Sequence, residues 1–207
     1  MNFMVFQGYL GSGKTLGATI FSKFFQEESG CALYSNCGIA DSKPFTSLDD
    51  FKKIAQESSS ILVLDEAHMD LDARSFNSNH VKFFTQISYY LRKLRCTLII
   101  TSPSFDDLDS RIRGVTNILA TVTKSRDYFT YTLYDIQSER YLKNYKINKS
   151  QALSIASQLY DTAAMVTPIA IPESKQGYNE FLEELKFIAE NYHVMKEGEP
   201  TLVGATS

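Results

Sequence analysis

Gly8, Gly13, Lys14 and Thr15 stand at the spacing G-x-x-x-x-G-K-[ST] within FQGYLGSGKT, and Asp65 and Glu66 follow the apolar run ILVL. The first set suits phosphate chemistry. Gly8, Gly11 and Gly13 let the backbone curl so that successive N–H groups point inward, and the helix that follows adds its partial positive charge. Gly8, Gly11, Ser12, Gly13, Lys14, Thr15 and Leu16 then form a cradle for a nucleoside triphosphate. In such a cradle the lysine, Lys14, reaches the β- and γ-phosphates and the hydroxyl, that of Thr15, sits on Mg²⁺. The bland alternative is a glycine turn ahead of a helix. The second set supplies what a cradle lacks. Asp65 holds Mg²⁺ through its water shell, and Glu66 orients and deprotonates an attacking water. A plain pair of strand-end acids is the structural alternative.

Positioning these groups requires a strand before the loop and a helix after it. Phe3 to Gln7 reads as the strand, and Leu16, Ile20, Phe21, Phe24 and Phe25 recur at helical spacing behind the loop. Short apolar runs then alternate with amphipathic stretches. The pattern predicts strands at 32–35, 61–64, 97–101 and 117–123, a weak helix at 48–57 and a helix near 81–94. Strands separated by helices imply an α/β fold with a doubly wound, mainly parallel sheet. If the strand of CTLIITSPS lies between the loop strand and the Asp65 strand, Thr101 or Ser102 emerges beside the γ-phosphate. A hydroxyl there senses whether that phosphate is present; a turn or cap hydroxyl before Pro103 is the alternative.

Beyond Lys124 the pattern changes. Residues 128–134 and 140–147 read as antiparallel strands around the short polar DIQSE, followed by helices near 151–160 and 178–192. The expected organisation is a core over 1–125, a hairpin and helices over 126–195, and a disordered tail over 196–207.

Composition narrows the class. The chain has 207 residues, of which 43% are hydrophobic and 22% charged, as expected for one ordinary α/β domain. No basic-then-apolar leader is evident, and no run approaches about 18 apolar residues, so neither secretion nor a transmembrane segment is expected. Cys31, Cys37 and Cys96 are odd in number and lack zinc spacing, which suits buried, reduced thiols. From Arg111 to Lys149 eight basic residues face three acidic ones, while 151–207 holds three basic and eight acidic. This asymmetry permits one basic face towards a polyanion, although ordinary charge scatter fits it equally.

GYLGSGKT, LYSN, ILVLDEAH, LRKLRCTLIITSPS and DDLDSRIR, in that order, resemble the FtsK/HerA superfamily of ring ATPases. More narrowly they resemble small viral genome-packaging ATPases and the Zot-like ATPases of filamentous phages, over residues 1–125. The resemblance implies a P-loop NTPase core using ATP and Mg²⁺, a homo-oligomeric ring (pentamer or hexamer), double-stranded DNA as partner and a capsid portal as a further one. It also implies a trans arginine finger, best matched by Arg92, then Arg95, with Arg111 and Arg113 as competitors. Asn36 matches a polar residue that pairs with the catalytic glutamate, here Glu66, until substrate arrives. Where such proteins end the fourth strand with glutamine this chain has Pro103, so coupling would pass through Ser102 or Ser104. Asp65-Glu66-Ala67-His68 also spells a helicase motif, but those enzymes resemble two tandem motor domains and this chain has room for one.

The expected function is ATP-driven translocation of double-stranded DNA into a viral procapsid, in the cytoplasm of an infected cell or transiently on the virion precursor. A Zot-like phage assembly ATPase is the second reading, set back by the missing membrane span. A nucleotide-kinase-type phosphotransferase is a third. Glu66 directly after Asp65, suited to activating water, and the lack of an arginine-rich lid count against it. A slow regulatory nucleotide switch is a fourth.

Overall fold

Strict alternation of apolar side chains along β1 (Phe3–Gln7) sends Phe3 and Val5 to one side and Met4 and Phe6 to the other, all essentially inaccessible to solvent. A strand buried on both faces needs a helical layer above and below it. The computed structural model, which describes residues 2–67, 79–160, 166, 169 and 175–192, supplies both. After β1 come α1 (Lys14–Ser29), β2 (Ala32–Ser35), β3 (Lys43–Pro44), α2 (Asp50–Ala55), β4 (Ser60–Leu64), α3 (Asn79–Tyr90) and β5 (Cys96–Ser102). Then follow α4 (Ser110–Val115), β6 (Ile118–Lys124), β7 (Tyr128–Asp135), β8 (Arg140–Asn148), α5 (Lys149–Leu159) and α6 (Lys175–Glu190).

The eight strands form one sheet in the order β3-β2-β4-β5-β1-β6-β7-β8, parallel from β3 through β6 and antiparallel across β6, β7 and β8. The expected doubly wound sheet is therefore present. α1 and α5 cover one face through Leu16, Ala18, Ala152 and Ala156. On the other face α2, α3, α4 and α6 contribute Phe51, Ile87, Ile112 and Leu185. Because β5 lies between β1 and β4, the carboxyl ends of these three strands open side by side. Ligands bind at such ends in open α/β sheets.

Three features were not legible in the sequence. β3 is only two residues long and carries Pro44 at the sheet edge, a position that tolerates a missing donor. α4 is one short helix, started by Asp109, whose carboxylate accepts the Arg111 N–H at 2.9 Å. The third is the end of α3. The regular helix stops at Tyr90, but Cys96 N–H reaches Leu91 C=O at 2.9 Å and Arg95 N–H reaches Arg92 C=O at 3.2 Å. These are the bonds of a Schellman cap, with Arg95 at φ 53° where glycine is usual. The predicted stretch to Leu94 thus keeps Leu91 and Leu94 in the core.

The hairpin β7–β8 continues the core sheet. β7 packs against α1: a Cβ added at Gly17 would stand 2.3 Å from Cε1 of Tyr131 and 3.0 Å from Cε1 of Phe6. Glycine inside a helix is here a requirement of close packing. The predicted tail over 196–207 and the proline-containing segment before α6 lie outside the described residues, apart from Val166 and Ile169.

Two outcomes follow from this packing. Gly17→Ala should lower stability by about 1–3 kcal/mol in urea unfolding, overpacking outweighing the roughly 1 kcal/mol of better helix propensity. The Arg111 side-chain hydrogen bond holds the Asp109 carboxyl below its ordinary range. A depressed carboxyl contributes stability above its unfolded pKa and loses it as pH falls through the folded one. Asp109→Asn keeps the capping oxygen, so the gap in Tm between it and the parent should close as pH drops below about 4.

Candidate nucleotide site

The loop between β1 and α1 turns through Gly8, Gly11 and Gly13, at φ 157°, 70° and 97°. Gly13 caps the sixteen-residue α1, so its N-terminal amides open onto the loop. Gly8 N–H donates to the Pro103 carbonyl at 3.2 Å and Ser12 N–H to Tyr9 C=O at 3.0 Å, which closes the curl. Lys14 is buried in it, 5% exposed, and its Nζ donates to Tyr9 C=O at 3.3 Å. Leu16 points into the core. Ser12 Oγ is buried with no hydrogen-bond partner, and an orphaned hydroxyl inside a ring of amides is what an anion would satisfy.

Asp65 is delivered to this loop by β4. Thr15 Oγ1 donates to its two carboxylate oxygens at 2.9 and 3.0 Å, and Thr101 Oγ1 donates to Oδ1 at 2.6 Å. Asn36, at the end of β2, accepts from Asp65 N–H at 2.8 Å and donates to Asp65 C=O at 3.2 Å. Asn36 therefore clamps the backbone of Asp65 and is not paired with Glu66, contrary to the expectation from the superfamily. Glu66 follows at φ 53°, its N–H held by Thr101 Oγ1 at 2.9 Å. One buried hydroxyl thus fixes both acids. Of the two candidate sensors, Thr101 faces the acids; Ser102 donates to Ser104 C=O at 2.7 Å and serves the turn.

The donor set fits Mg²⁺ together with a nucleotide. Among the described residues no cluster of three or more His, Cys, Asp or Glu could hold a metal alone. Mg²⁺ does not need one, since it commonly takes one or two protein oxygens and completes its shell with phosphates and water. Thr15 and Asp65, in contact with each other, could supply such a pair. Cys37 lies near Asp65; burial and that charge push its thiol up to about 12, so it stays protonated and inert.

The four candidate arginines separate clearly. Arg95 is used inside the chain: its guanidinium donates to the carbonyls of Ala55, Glu57 and Lys93 and stacks 3.6 Å from the Tyr192 ring centroid. Arg111 is bidentate to Asp109, at 2.8 and 3.0 Å, and Arg113 pairs with Asp106 at 2.9 Å. Arg92 is exposed, at the amino end of β5. It sits a strand length, about 20 Å, from the Asp65 end of its own site. His68 lies outside the described residues. Sequence reasoning missed Phe129 and Tyr131, which back the loop from β7. Gly17 within a helical pattern was the available signal.

The sequence profile of Zonular occludens toxin (Zot) matches residues 39–166, more than half of the chain. The match starts after the phosphate loop, takes in Asp65, Glu66 and Thr101, and continues across the hairpin and α5. No curated protein matches the chain. Among solved structures, the N-terminal domain of zonular occludens toxin from Neisseria meningitidis superposes with a TM-score of 0.57 at 16% identity, covering 77% of this chain and 98% of that one. The genome packaging NTPase B204 from Sulfolobus turreted icosahedral virus 2, in complex with ATP-gammaS, gives 0.53 at 13% identity over 70% and 96%. B204, the DNA-packaging ATPase from Sulfolobus turreted icosahedral virus, gives 0.51 at 14% identity over 70% and 96%. The shared architecture is the P-loop NTPase fold, and the chain belongs to the Zot family.

Proposed function

We propose that this protein hydrolyses ATP with Mg²⁺ and uses the cycle to move double-stranded DNA as a homo-oligomeric ring. The observation that carries the nucleotide reading is the contact of Thr15 with Asp65. Residues fifty positions apart meet at 2.9 Å where a phosphate cradle and a strand-end acid must share one cation. The orphaned Ser12 hydroxyl supports it from the other side of the loop.

Each residue then has a definable task. The loop amides and the α1 N-terminus bind the phosphates, and the Lys14 ammonium exchanges its Tyr9 carbonyl for a phosphate oxygen. Thr15 and Asp65 would hold Mg²⁺, which would supply charge neutralisation for the phosphates. Glu66 takes a proton from water as its oxygen attacks the γ-phosphorus; the bond to the bridging oxygen breaks, releasing ADP and phosphate. Thr101 keeps Glu66 and Asp65 in register during this step. Arg92 is the trans arginine, because it is too far from its own site to act there while the other three candidates, Arg95, Arg111 and Arg113, hold partners in their own chain.

The basic residues between Arg111 and Lys149 contact DNA phosphates, an interaction that weakens with salt. Within this reading, the family match favours a phage assembly ATPase over procapsid loading. Among the described residues no helix is long and apolar enough to cross a membrane. Work in the cytoplasm of an infected cell fits either role.

Steady-state phosphate release tests the activity. The protein should release free phosphate from ATP faster when duplex DNA is added, and Glu66→Gln should reduce turnover by about 10²–10⁴. Transfer of the phosphate to a small acceptor, with no DNA effect, would favour a phosphotransferase. Arg92→Ala should lose about 10³–10⁵ in turnover. Mixing the Arg92→Ala and Glu66→Gln proteins should restore part of it, since a mixed ring has interfaces carrying both groups. Absence of any recovery would remove the trans role of Arg92.

A further inference from the structure

The hairpin touches the phosphate loop directly. Tyr131 of β7 is fully buried, and its hydroxyl donates to the Gly13 carbonyl at 3.1 Å. That carbonyl also accepts the first helical N–H of α1, from Gly17 at 2.9 Å. Phe129 packs on the same residue, so that a Cβ at Gly13 would stand 2.8 Å from its ring. Two β7 side chains therefore fix the point where the loop becomes helix, immediately before Lys14.

The other side of the hairpin faces solvent. β8 is exposed from Arg140 to Lys146 and carries Arg140, Lys143 and Lys146. Aromatic contacts join the two sides without a gap. Lys143 Nζ lies 4.8 Å from the Tyr145 ring centroid, Tyr145 meets Phe21 of α1 edge-on at 5.2 Å, and Phe21 meets Tyr131 at 6.1 Å. Contiguous packing of this kind can carry energetic coupling between sites, and such coupling is reciprocal.

We infer that the β7–β8 hairpin is an effector arm of the nucleotide site. Duplex DNA, held through its phosphates by Arg140, Lys143 and Lys146, is sensed at Gly13 through Tyr145, Phe21 and Tyr131. The charge of β8 is complementary to a polyanion, and phosphate contacts need no base-reading groups. This inference rests on the loop being an ATP site. It assigns the segment beyond Lys124 a regulatory task, with Tyr131 as a positioning residue that touches no substrate atom.

The test is the affinity of a fluorescent ATP analogue, with Mg²⁺, in the presence and absence of a short DNA duplex. In the parent protein the duplex should change that affinity by about five-fold or more. Tyr131→Phe keeps the ring and deletes the hydroxyl; it should weaken analogue binding by about two- to ten-fold and abolish the duplex effect, while the duplex itself still binds. Tyr145→Leu interrupts the ring contacts at a partly exposed position and should abolish the duplex effect even if Tyr131→Phe folds poorly. Lys143→Ala with Lys146→Ala should remove the effect together with duplex binding. A Tyr131→Phe protein with parental affinity and a parental duplex effect overturns the inference. So does a parent that binds the analogue indifferently to DNA, which leaves the ATP reading standing. A parent that binds no analogue overturns both.

Discussion

A carboxylate at the end of a buried strand is costly unless its oxygens are occupied, and Asp65, 8% exposed, meets that demand with two hydroxyls. Thr15 belongs to the loop after β1 and Thr101 to the end of β5, so both contacts hold only if β1, β5 and β4 lie in that order. Asn36 extends the dependence to β2 by pairing with both sides of the Asp65 peptide. The remainder of the site inherits its geometry from this one acid. Glu66 stands in a left-handed conformation, uncommon for a residue with a side chain, because Thr101 holds its N–H.

The arginines show how the same fold sorts residues of one type. Arg95 and Arg111 look as available as Arg92 in sequence, yet both are taken up by local structure: Arg95 closes a helix cap over the carbonyls of α2, and Arg111 braces the start of α4. A cation already bonded to carbonyls or to a carboxylate gains little by leaving for a second partner. Arg92, by contrast, is exposed just before the amino end of β5, remote from its own loop.

The hairpin gives the sheet an asymmetry with consequences for the loop. On the α1 face, β7 is packed tightly enough to require glycine at 17 and to hold Gly13 by a hydrogen bond. β8, by contrast, remains an exposed edge strand whose lysines discourage strand addition by other chains. A rigid side and a solvated side on one two-stranded element make it suited to passing contact at the surface to the interior. The family match, which extends through this hairpin, agrees with treating it as part of the working unit.

The loop, the acids after ILVL, the alternation of strands with helices and the antiparallel pair after Lys124 were all readable in the chain, because each depends on backbone periodicity or on spacing within a few residues. Which polar group meets which was not. Asn36 pairs with Asp65 rather than with the Glu66 that follows it, Thr101 faces the acids while Ser102 turns away, and Tyr131 reaches Gly13 from 118 residues downstream. These choices follow from strand order and register, and a one-residue change of register would send every side chain to the opposite face. The sequence by itself determined that a phosphate cradle and its acids exist; the tertiary structure decided their partners, because only the assembled sheet brings the ends of β1, β2, β4 and β5 and the middle of β7 within hydrogen-bonding reach.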